Sequence, residues 1–379
     1  MRKFRKIALI GTVADKIYGF RADLIKKLIA EGHIVYAFTS EYSFDDLEKI
    51  KALGAIPITY QLSRGGLNPF ADIKSMYQLI NKLKAIKPDI VFSYFAKPIV
   101  YGTLAAKIAK VPMKIGMLEG LGYTFTEQPE GQSNKAKLVK KIQIFLYKIS
   151  LPCLDKIIFL NPDDPKDLLD KNNISVKKIE ILGGIGLNLH DYPYVPKNVY
   201  LPLEFLFIGR LLKEKGIHEL ISAVKIVKQK YPDTVFTILG EIDHANMGAL
   251  KQTQLDEYIQ TGLINYIGHV SNVKDYIIQS DVFVLPSYRE GVPRSTQEAM
   301  AIGRPVITTD VPGCRETVID GVNGFLIPKW NVETLAKKMI YFIENPEKVS
   351  IMGNESYKLA MEKFDANEVN HRLLEMLGL

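Results

Sequence analysis

The sequence predicts an α/β protein made of two successive doubly wound units, each a parallel sheet with helices on both faces. Short apolar runs bounded by turn residues alternate with helical patterns along the chain, as they do in parallel sheets with crossover helices. The alternation starts again near the middle of the chain. A length of 379 residues also exceeds one ordinary core. These observations together favour two domains of similar construction.

In the first half, apolar runs predict strands at residues 6–10, 34–39, 56–61, 90–94, 114–117 and 156–160. Apolar residues at helical spacing predict intervening helices, among them 22–31, 44–53 and 71–85. In the second half, a helix is predicted over 217–231, and the strand-like runs are "LEFLFIGRL", "TVFTILG", "LINYIGHV", "DVFVLPS", "RPVITT" and "GFLIP". The chain is predicted to be helical from residue 345, with a break near 364–366.

The two domains are expected to meet in "LGGIGLNLHDYPYVPKNVYLP", where Gly, Pro, Asn and Tyr cluster. We therefore divide the chain into an N-terminal domain, residues 1–192, and a C-terminal domain, residues 193–379. Whether the last helix packs back on the first domain is left open. Ligands of such sheets bind at the carboxyl ends of the strands. The expected site is the cleft across which the two domains face each other.

Composition indicates a soluble globular protein, with 47% apolar and 24% charged residues. No run of 18 apolar residues occurs, so no transmembrane helix is expected. The short apolar stretch at the start fits a buried strand better than a signal peptide. Two cysteines, Cys153 and Cys314, form neither a disulfide framework nor a metal-binding pattern. The reducing cytoplasm is the simplest location.

The net charge of +7 is unevenly distributed. Residues 1–190 carry 29 Lys and Arg against 18 Asp and Glu, whereas the remainder carries 20 against 24. A basic first half suggests an anionic partner such as a membrane surface, a diphosphate lipid or a nucleic acid. A solvated lysine-rich surface explains the same composition equally well.

Two glutamates, Glu290 and Glu298, flank the turn of "REGVPRSTQEAMAIGRPVITTD". The strand "DVFVLPS" precedes this turn, and Pro293 suits the first turn of the helix that follows. Such a helix start presents backbone amides that can bind a phosphate. Glu298 would then be placed to accept from sugar hydroxyls. Alternatively, the first glutamate merely stabilises the helix dipole and the second is solvated.

A second stretch, "FIGRLLKEKGIHEL", places Arg210 at the end of a buried strand and Lys215 before the next helix. Two cations there could neutralise a departing diphosphate, although a surface loop with ordinary charges is the alternative. In "YIGHV", the backbone of Gly268, His269 and Val270 could bond a base edge, and His269 could equally be a simple loop histidine.

Other chemistries find little support in the sequence. The first strand is followed by "GTVADKIYG" instead of a Gly-x-Gly-x-x-Gly turn. The chain has no Gly-x4-Gly-Lys-Ser/Thr loop and no Gly-x-Ser-x-Gly elbow. Its six histidines never fall at metal-ligand spacing. No nucleic-acid-binding motif accompanies the basic half.

Together, "GRLLKEKG", "YIGHV" and "PSYREGVPRSTQEAMAIGRPVITTDVPGCRETVIDGVNGFLIP" resemble the retaining glycosyltransferases of the GT-B fold. The chain is most similar to the bacterial capsule, O-antigen and N-glycan assembly enzymes (glycosyltransferase family 4-like) that use UDP-sugars. The stretches "YGFR", "LSRGGLNP", "KPIVYGTLAAK" and "MLEGLGYTFT" look like the branch that acts on lipid-linked acceptors. The resemblance spans the whole chain and is most specific in the second domain.

This resemblance implies roles on the donor side. Arg210 and Lys215 match the pair that contacts the donor diphosphate. Glu290 matches the glutamate that contacts the transferred sugar. Glu298 matches the ribose contact. The remaining matches are the amide-bearing turn of Gly291, Val292 and Pro293 and the base-contacting segment 268–270. The family needs no metal or other cofactor and retains anomeric configuration, so an α-linked product from a UDP-α-sugar is implied.

On the acceptor side, the first loop, "GTVADKIYGFR", lacks the double glycine common in other branches of the fold. We expect Arg21, Arg64 and Lys97 to contact an anionic acceptor. Glu119 is expected near the reacting hydroxyl, as a fourth catalytic candidate beside Glu290, Arg210 and Lys215. Each of these side chains could instead form a structural salt bridge or turn.

The segment "SNKAKLVKKIQIFLYKIS" has apolar residues at helical spacing, including Leu138 and Phe145, with lysines gathered elsewhere. Such a basic amphipathic helix can lie on an anionic membrane surface. Lys137, Lys140, Lys141 and Phe145 are the expected membrane contacts. The alternative is a helix packed on the first sheet with its lysines in water.

We therefore expect a cytoplasmic, peripherally membrane-bound transferase. It would move a hexose or N-acetylhexosamine from UDP onto an undecaprenyl-diphosphate-linked saccharide at the inner membrane face. One alternative is a transferase with a soluble or lipid-A-type acceptor. The other is a non-catalytic nucleotide-sugar-binding subunit of an assembly complex.

Overall fold

The computed structural model describes residues 4–62, 69–198, 200–244, 246 and 248–379. These residues form two compact units. The first unit comprises the chain up to Leu121, Asn134–Leu182 and Val369–Leu379. The second comprises Gly122–Ser133 and Gly183–Glu368. The assignment of acceptor binding to residues 1–192 and donor binding to 193–379 stays a prediction.

The first unit contains a seven-stranded sheet in the order β3-β2-β1-β4-β5-β6-β7. Its strands are β1 (Lys6–Ile10), β2 (Ile34–Thr39), β3 (Ile56–Thr59), β4 (Ile90–Tyr94), β5 (Met113–Leu118), β6 (Lys156–Phe159) and β7 (Ile179–Ile181). All neighbouring strands pair in parallel. Its helices are α1 (Ala14–Phe20), α2 (Ala22–Ala30), α3 (Phe44–Ala52), α4 (Pro69–Ile86), α5 (Ala96–Ile108), α6 (Asn134–Ser150) and α7 (Asp163–Leu168).

The second unit contains a six-stranded sheet in the order β10-β9-β8-β11-β12-β13. Its strands are β8 (Glu204–Ile208), β9 (Val235–Leu239), β10 (Asn265–Gly268), β11 (Val282–Leu285), β12 (Val306–Thr309) and β13 (Gly324–Ile327), again parallel. The helices are α8 (Ile217–Lys230), α9 (Gln252–Gln260), α10 (Val273–Gln279), α11 (Arg294–Ile302), α12 (Val332–Glu344), α13 (Glu347–Phe364) and α14 (Ala366–Leu377), whose later residues belong to the first unit.

Local chemistry explains several of these boundaries. Before α3, Ser43 and Asp46 form a capping box in which each side chain accepts from the other's backbone amide. Before α12, the side chain of Asn331 accepts from the amide of Thr334 at 2.8 Å. At the end of α11, Gly303 adopts a φ of 90°, which favours glycine. At the starts of α3 and α12, side chains therefore accept from backbone amides that have no partner within the helix.

The predicted fold class is confirmed, with small errors at the ends of strands. The strand predicted to reach residue 61 ends at Thr59, because the amide of Gln61 donates to the side chain of Gln78 instead of to the sheet. Strand β7 was not predicted. It has only three residues, and both of its isoleucines are exposed at the sheet edge. The break between the last two helices falls at Asp365.

Candidate active site

The site is built at the carboxyl ends of neighbouring strands of the second sheet. Strand β8 lies between β9 and β11, so the loops that follow these three strands emerge side by side. Two glycines let the loops approach closely. A Cβ at Gly216, which has a φ of 75°, would lie 2.1 Å from the carbonyl oxygen of Pro286. A Cβ at Gly240 would lie 2.0 Å from that of Gly209. Any larger residue would separate these loops.

Lys215 and Glu290 meet at the centre of this arrangement. The Nζ atom of Lys215 lies 2.5 Å from Oε1 of Glu290, and the hydroxyl of Ser287 donates to the same oxygen at 2.8 Å. The two charged side chains are 22% and 12% exposed. A mostly buried ion pair with an added hydroxyl donor has few alternative rotamers. The structure therefore presents a lysine and a glutamate from two loops as one fixed unit.

The backbone of Glu290 is anchored by the loop after β12. Its amide donates to the carbonyl of Pro312 at 3.0 Å. A Cβ on Gly313, where φ is 83°, would lie 2.2 Å from the carbonyl oxygen of Glu290. The position of Glu290 thus depends on a glycine 23 residues further along the chain. The sequence predicted no function for Gly313 or Gly216.

Arg210 follows β8 on the same loop as Lys215, but its side chain has a different partner. The Nη1 atom of Arg210 lies 2.9 Å from Oδ2 of Asp243, which follows β9. More than half of the arginine side chain is exposed. Arg210 therefore lies at the carboxyl end of β8, accessible to solvent. Its partner Asp243 was not among the residues that the sequence indicated.

Helix α11 begins directly after the turn that carries Glu290. Pro293 precedes its first turn in an extended conformation, and no side chain caps it. The hydroxyl of Ser295 donates to the carbonyl of Ile208 at 3.3 Å, which brings the helix start to the end of β8. Gly291, Val292 and Pro293 are all buried in this turn. The predicted strand–turn–helix arrangement is therefore present.

Glu298 lies further along α11 and has protein partners of its own. Its Oε1 atom accepts from the hydroxyl of Tyr192 at 2.9 Å and from Nε of Arg294 at 3.0 Å. Burial raises the pKa of Glu298, and Arg294 opposes that shift. The contact of Tyr192 was not foreseen, because the two residues are 106 positions apart. The role of Glu298 as a ribose contact stays a prediction.

The predicted base-contacting segment follows the edge strand β10. Gly268 has a φ of 83°, and its carbonyl accepts from the amide of Gly240 at 2.8 Å. The hydroxyl of Tyr266 donates to the carbonyl of Gly240 at 2.9 Å. His269 is exposed and Val270 is half-buried. The backbone here is well fixed, whereas base binding stays a prediction.

In the first unit, Arg21 and Glu119 form a buried ion pair at the carboxyl end of the sheet. Glu119 follows β5, and Arg21 lies between α1 and α2. The guanidinium donates to Oε1 of Glu119 and lies 5.0 Å from the ring centre of Tyr94, at the end of β4. Burial raises the pKa of Glu119, and Arg21 opposes the shift. Arg21 is 2% exposed, so its own position is fixed by packing. Its ion pair in turn holds Glu119 in place.

Lys97 and Arg64 are the other two residues predicted to contact the acceptor. Lys97, in α5, lies 3.1 Å from Oδ1 of Asp72, and the hydroxyl of Tyr101 donates to the second carboxylate oxygen at 2.9 Å. Asp72 is buried, so Lys97 and Tyr101 also have a structural role as the partners of a buried carboxylate. Arg64 lies outside the described residues. Contacts of these side chains with an acceptor stay predictions.

Helix α6 is the predicted amphipathic segment, and it packs beside α5. Ala136, Tyr147 and Ser150 are its buried residues. Leu138, Phe145 and Ile149 are instead 58%, 61% and 45% exposed. Their spacing of seven and four residues places them on one side of the helix. Lys137 and Lys141 are exposed as well, and Lys140 is half-buried. An apolar stripe with lysines beside it therefore faces solvent.

In the part of the chain that the structure describes, no helix is long and apolar enough to cross a membrane. Within the same residues, no group of three or more His, Cys, Asp and Glu side chains is arranged to hold a metal ion.

Comparison with known families now identifies the class of protein. The family model "Glycosyl transferases group 1" matches residues 201–359, which include the loops of Lys215 and Glu290. The model "Glycosyl transferase 4-like" matches residues 6–161. The chain belongs to the glycosyltransferases of the GT-B fold.

Two bacterial relatives match this glycosyltransferase over nearly its whole length. One is the N,N'-diacetylbacillosaminyl-diphospho-undecaprenol alpha-1,3-N-acetylgalactosaminyltransferase of Campylobacter jejuni, 28% identical with 98% of each chain covered. The other is the capsular polysaccharide biosynthesis glycosyltransferase CapM of Staphylococcus aureus, also 28% identical, with 99% of this chain and 97% of the relative covered.

Solved structures agree on the fold. HepE of Anabaena, crystallised with UDP-glucose, superposes with a TM-score of 0.77 at 18% identity, and 99% of each chain is covered. A sucrose-phosphate synthase from Thermosynechococcus elongatus gives 0.78 at 18% identity, with 98% of each chain covered. At this identity the similarity establishes the two-sheet fold and leaves the substrates to be argued from the site.

Proposed function

We propose that this glycosyltransferase moves a hexose or N-acetylhexosamine from a UDP-sugar to an undecaprenyl-diphosphate-linked saccharide, with retention of anomeric configuration. The observation that carries the proposal is the Lys215–Glu290 pair at the carboxyl ends of β8 and β11. The acceptor class is supported by the activity for which the Campylobacter relative is named. The donor class is supported by UDP-glucose in the HepE complex.

In the proposed mechanism, the charges at the end of β8 act on the leaving group. When the bond between the anomeric carbon and the diphosphate breaks, negative charge develops on UDP. Lys215 and the exposed Arg210 stabilise that charge. The amides at the start of α11 add the positive end of the helix dipole. The arrangement supplies this charge from side chains and backbone, so the proposal requires neither a metal nor another cofactor.

Glu290 acts on the sugar. Its carboxylate orients the sugar hydroxyls and stabilises the oxocarbenium-like transition state, while Lys215 and Ser287 keep it in position. The acceptor hydroxyl attacks from the face that UDP leaves, and the departing phosphate takes its proton. Glu298 binds the ribose, and the backbone of 268–270 binds the base. Glu290 and Glu298 therefore bind opposite parts of one donor and do not form a general acid–base pair.

The direct test is a transfer assay with a panel of UDP-sugars and lipid-diphosphate acceptors, read by the mass increase of the lipid. We expect one hexose or N-acetylhexosamine to be added, at a rate unchanged by EDTA. The coupling constant of the new anomeric proton should report an α-linkage from a UDP-α-sugar. A β-linked product would contradict retention, and loss of activity in EDTA that added magnesium restores would contradict metal independence.

The same assay separates the alternatives. A transferase for soluble or lipid-A-type acceptors would glycosylate those molecules faster than the undecaprenyl diphosphate. A non-catalytic binding subunit would bind UDP in calorimetry and yet neither hydrolyse nor transfer any UDP-sugar. The intact charged set of Arg210, Lys215, Glu290 and Glu298 favours the enzyme over the binding subunit.

We also propose that α6 binds the anionic inner face of the cell membrane, so that the enzyme is cytoplasmic and peripherally attached. The proposal includes no nucleic-acid partner. The support is the exposed stripe of Leu138, Phe145 and Ile149 with Lys137 and Lys141 beside it. Burying apolar side chains in the lipid interface is favourable, and each basic residue near an anionic surface adds about 1 kcal/mol.

Liposome flotation tests the membrane proposal. Vesicles with anionic lipid should recover the protein, and neutral vesicles should recover much less. Phe145→Ser should lower recovery. Phe44→Ser is the matched control, because Phe44 is also exposed but lies in α3. Equal recovery on neutral and anionic vesicles, or equal loss in both variants, would overturn the assignment of α6.

A further inference from the structure

The second unit contains a cavity of about 310 Å³ to which the mechanism above assigns no role. It is lined by Tyr123, Gln128 and Glu130 from the segment Gly122–Ser133 and by Lys213 and Glu214 from the loop after β8. We call it the 123–133 cavity. Its volume is at the small end of the range of roughly 300–1,000 Å³ for small-molecule sites. It is therefore the right size for a single ring and too small for a nucleotide.

The wall contributed by this segment is held in a defined conformation. The side-chain amide of Gln132 donates to the carbonyls of Thr124 and Thr126, at 2.8 and 3.2 Å. The amide of Gly131 donates to the carbonyl of Gln128 at 2.9 Å, with a φ of 80° at Gly131. Glu130 forms an ion pair with Lys213. One wall of the cavity is therefore a segment fixed by its own hydrogen bonds, and the other wall is the loop after β8.

Two side chains in the wall each have one buried polar atom that makes no hydrogen bond to the described residues. Gln128 is 9% exposed, and its Nε2 atom has no hydrogen-bond partner among the described residues. The Oε2 atom of Glu214 is likewise buried and unpartnered within that part of the chain. Leaving such atoms unpaired costs free energy, and a ligand in the cavity would supply partners for both. One group is a donor and the other is an acceptor.

A sugar hydroxyl both donates and accepts hydrogen bonds, so the hydroxyls of one sugar ring offer partners to both atoms. The ring of Tyr123, which is half exposed, provides an apolar surface for the face of a pyranose. The charged residues in the wall are two carboxylates, Glu130 and Glu214, and one ammonium, Lys213. This excess of negative charge repels a phosphate or diphosphate. The wall therefore selects a neutral, hydroxyl-rich ring.

We propose that the 123–133 cavity binds one neutral sugar unit of the acceptor saccharide. The inference rests on the proposed function, because it assumes an acceptor that carries sugars. The bound unit is distinct from the transferred sugar, which Glu290 holds. Gln128 and Glu214 bond its hydroxyls, and Tyr123 stacks on its ring. These residues set the acceptor preference and take no part in bond breaking.

Kinetics with acceptors of increasing saccharide length test the proposal. Gln128→Leu and Tyr123→Ala should each raise the acceptor KM at least tenfold, with the KM for the UDP-sugar within twofold of the wild type. Tyr123→Phe should restore the acceptor KM because it keeps the ring. Tyr200→Ala removes an exposed tyrosine of the same unit outside the cavity and should behave as the wild type. Binding of UDP in calorimetry checks that each variant is folded.

Two kinetic results would overturn the proposal. An increase confined to the KM for the UDP-sugar would assign the cavity to the donor. Unchanged KM values in both Gln128→Leu and Tyr123→Ala would mean that the cavity binds no sugar.

If the wild type transferred nothing to any lipid-linked saccharide, the proposed function would fail first. The cavity is then tested alone by saturation-transfer NMR with free galactose, glucose, N-acetylglucosamine and N-acetylgalactosamine. At least one sugar should give signals that Gln128→Leu abolishes. Absence of signals from all four, or signals unchanged in the variant, would overturn the cavity proposal by itself.

Discussion

Replacing Arg21 with methionine should make the stability of the first unit strongly dependent on pH. The side chains of Arg21 and Glu119 are 3% and 9% exposed, so the charge of each depends on the other. Methionine retains part of the packing and removes the charge. Breaking a buried pair by removing one partner costs about 3–5 kcal/mol, because the remaining charge is buried without compensation. We expect a loss of this size at pH 7–8.

The pH dependence follows from the pKa of Glu119. Burial already raises this pKa in the wild type, while the guanidinium of Arg21 lowers it. Without Arg21 the folded-state pKa rises further. A carboxyl group with a raised folded pKa contributes stability at pH below its unfolded value of 4.5, and that stability is lost as pH rises to the folded pKa. The slope is about 1.4 kcal/mol per pH unit within that window.

The assay is urea-dependent hydrogen exchange of peptides from β5, corrected for intrinsic exchange, between pH 5 and pH 8. These peptides report the first unit directly, whereas the single tryptophan, Trp330, lies in the second. Arg21→Met should approach the wild type at pH 5 and fall away towards pH 8. The double variant with Glu119→Gln should lack this pH-dependent loss. Equal pH dependence in the wild type and Arg21→Met would refute the reasoning.

Three further predictions concern other parts of the molecule. Gly216→Ala should destabilise the second unit by more than the roughly 1–3 kcal/mol of left-handed strain alone, because its Cβ would meet Pro286. Gly262 has a similar φ and open space around it, so Gly262→Ala is the control. An equal melting shift in both variants would contradict the close approach at Gly216. Cys153 should react with a thiol reagent in the native protein. Cys314 should react only on unfolding, because it is fully buried and burial raises its pKa to about 12. Fast reaction of both thiols in the native protein would contradict this burial. Asp72→Ala should destabilise the first unit by about 1–3 kcal/mol, since it removes the acceptor of Lys97 and Tyr101. Asp45 is exposed, so Asp45→Ala is the control. Equal melting midpoints in the two variants would contradict the role of Asp72.

Much of the fold was predictable because parallel strands are buried on both faces. Runs such as "KIALI" and "IVFSY" show no alternation of apolar and polar residues, and they stand out between helical patterns. Strand β7 lacks this signal because it is short and lies at the sheet edge. The grouping of Gly122–Ser133 with the second unit was equally out of reach, since its ion pairs with Lys213 and Lys329 join distant positions.

The candidate site was predictable only in its parts. Each loop could be placed at a strand end, but the pairing of Lys215 with Glu290 depends on β8 lying next to β11. It also depends on Gly216, whose φ of 75° leaves no mark in a pattern of charges. The partners Tyr192 and Asp243 were missed for the same reason. Each meets a predicted residue through the topology of the sheet and not through local sequence.

The central claim is that Glu290 acts on the transferred sugar while Lys215 and Arg210 act on the diphosphate. The most direct measurement compares kcat with the Kd for UDP in Glu290→Ala, with exposed Glu241→Ala as control. Loss of an interaction made in the transition state should lower kcat roughly 10²–10³-fold, with the Kd for UDP within about threefold of the wild type. Unaltered kcat, or a loss of UDP affinity as large as the loss of turnover, would contradict the account.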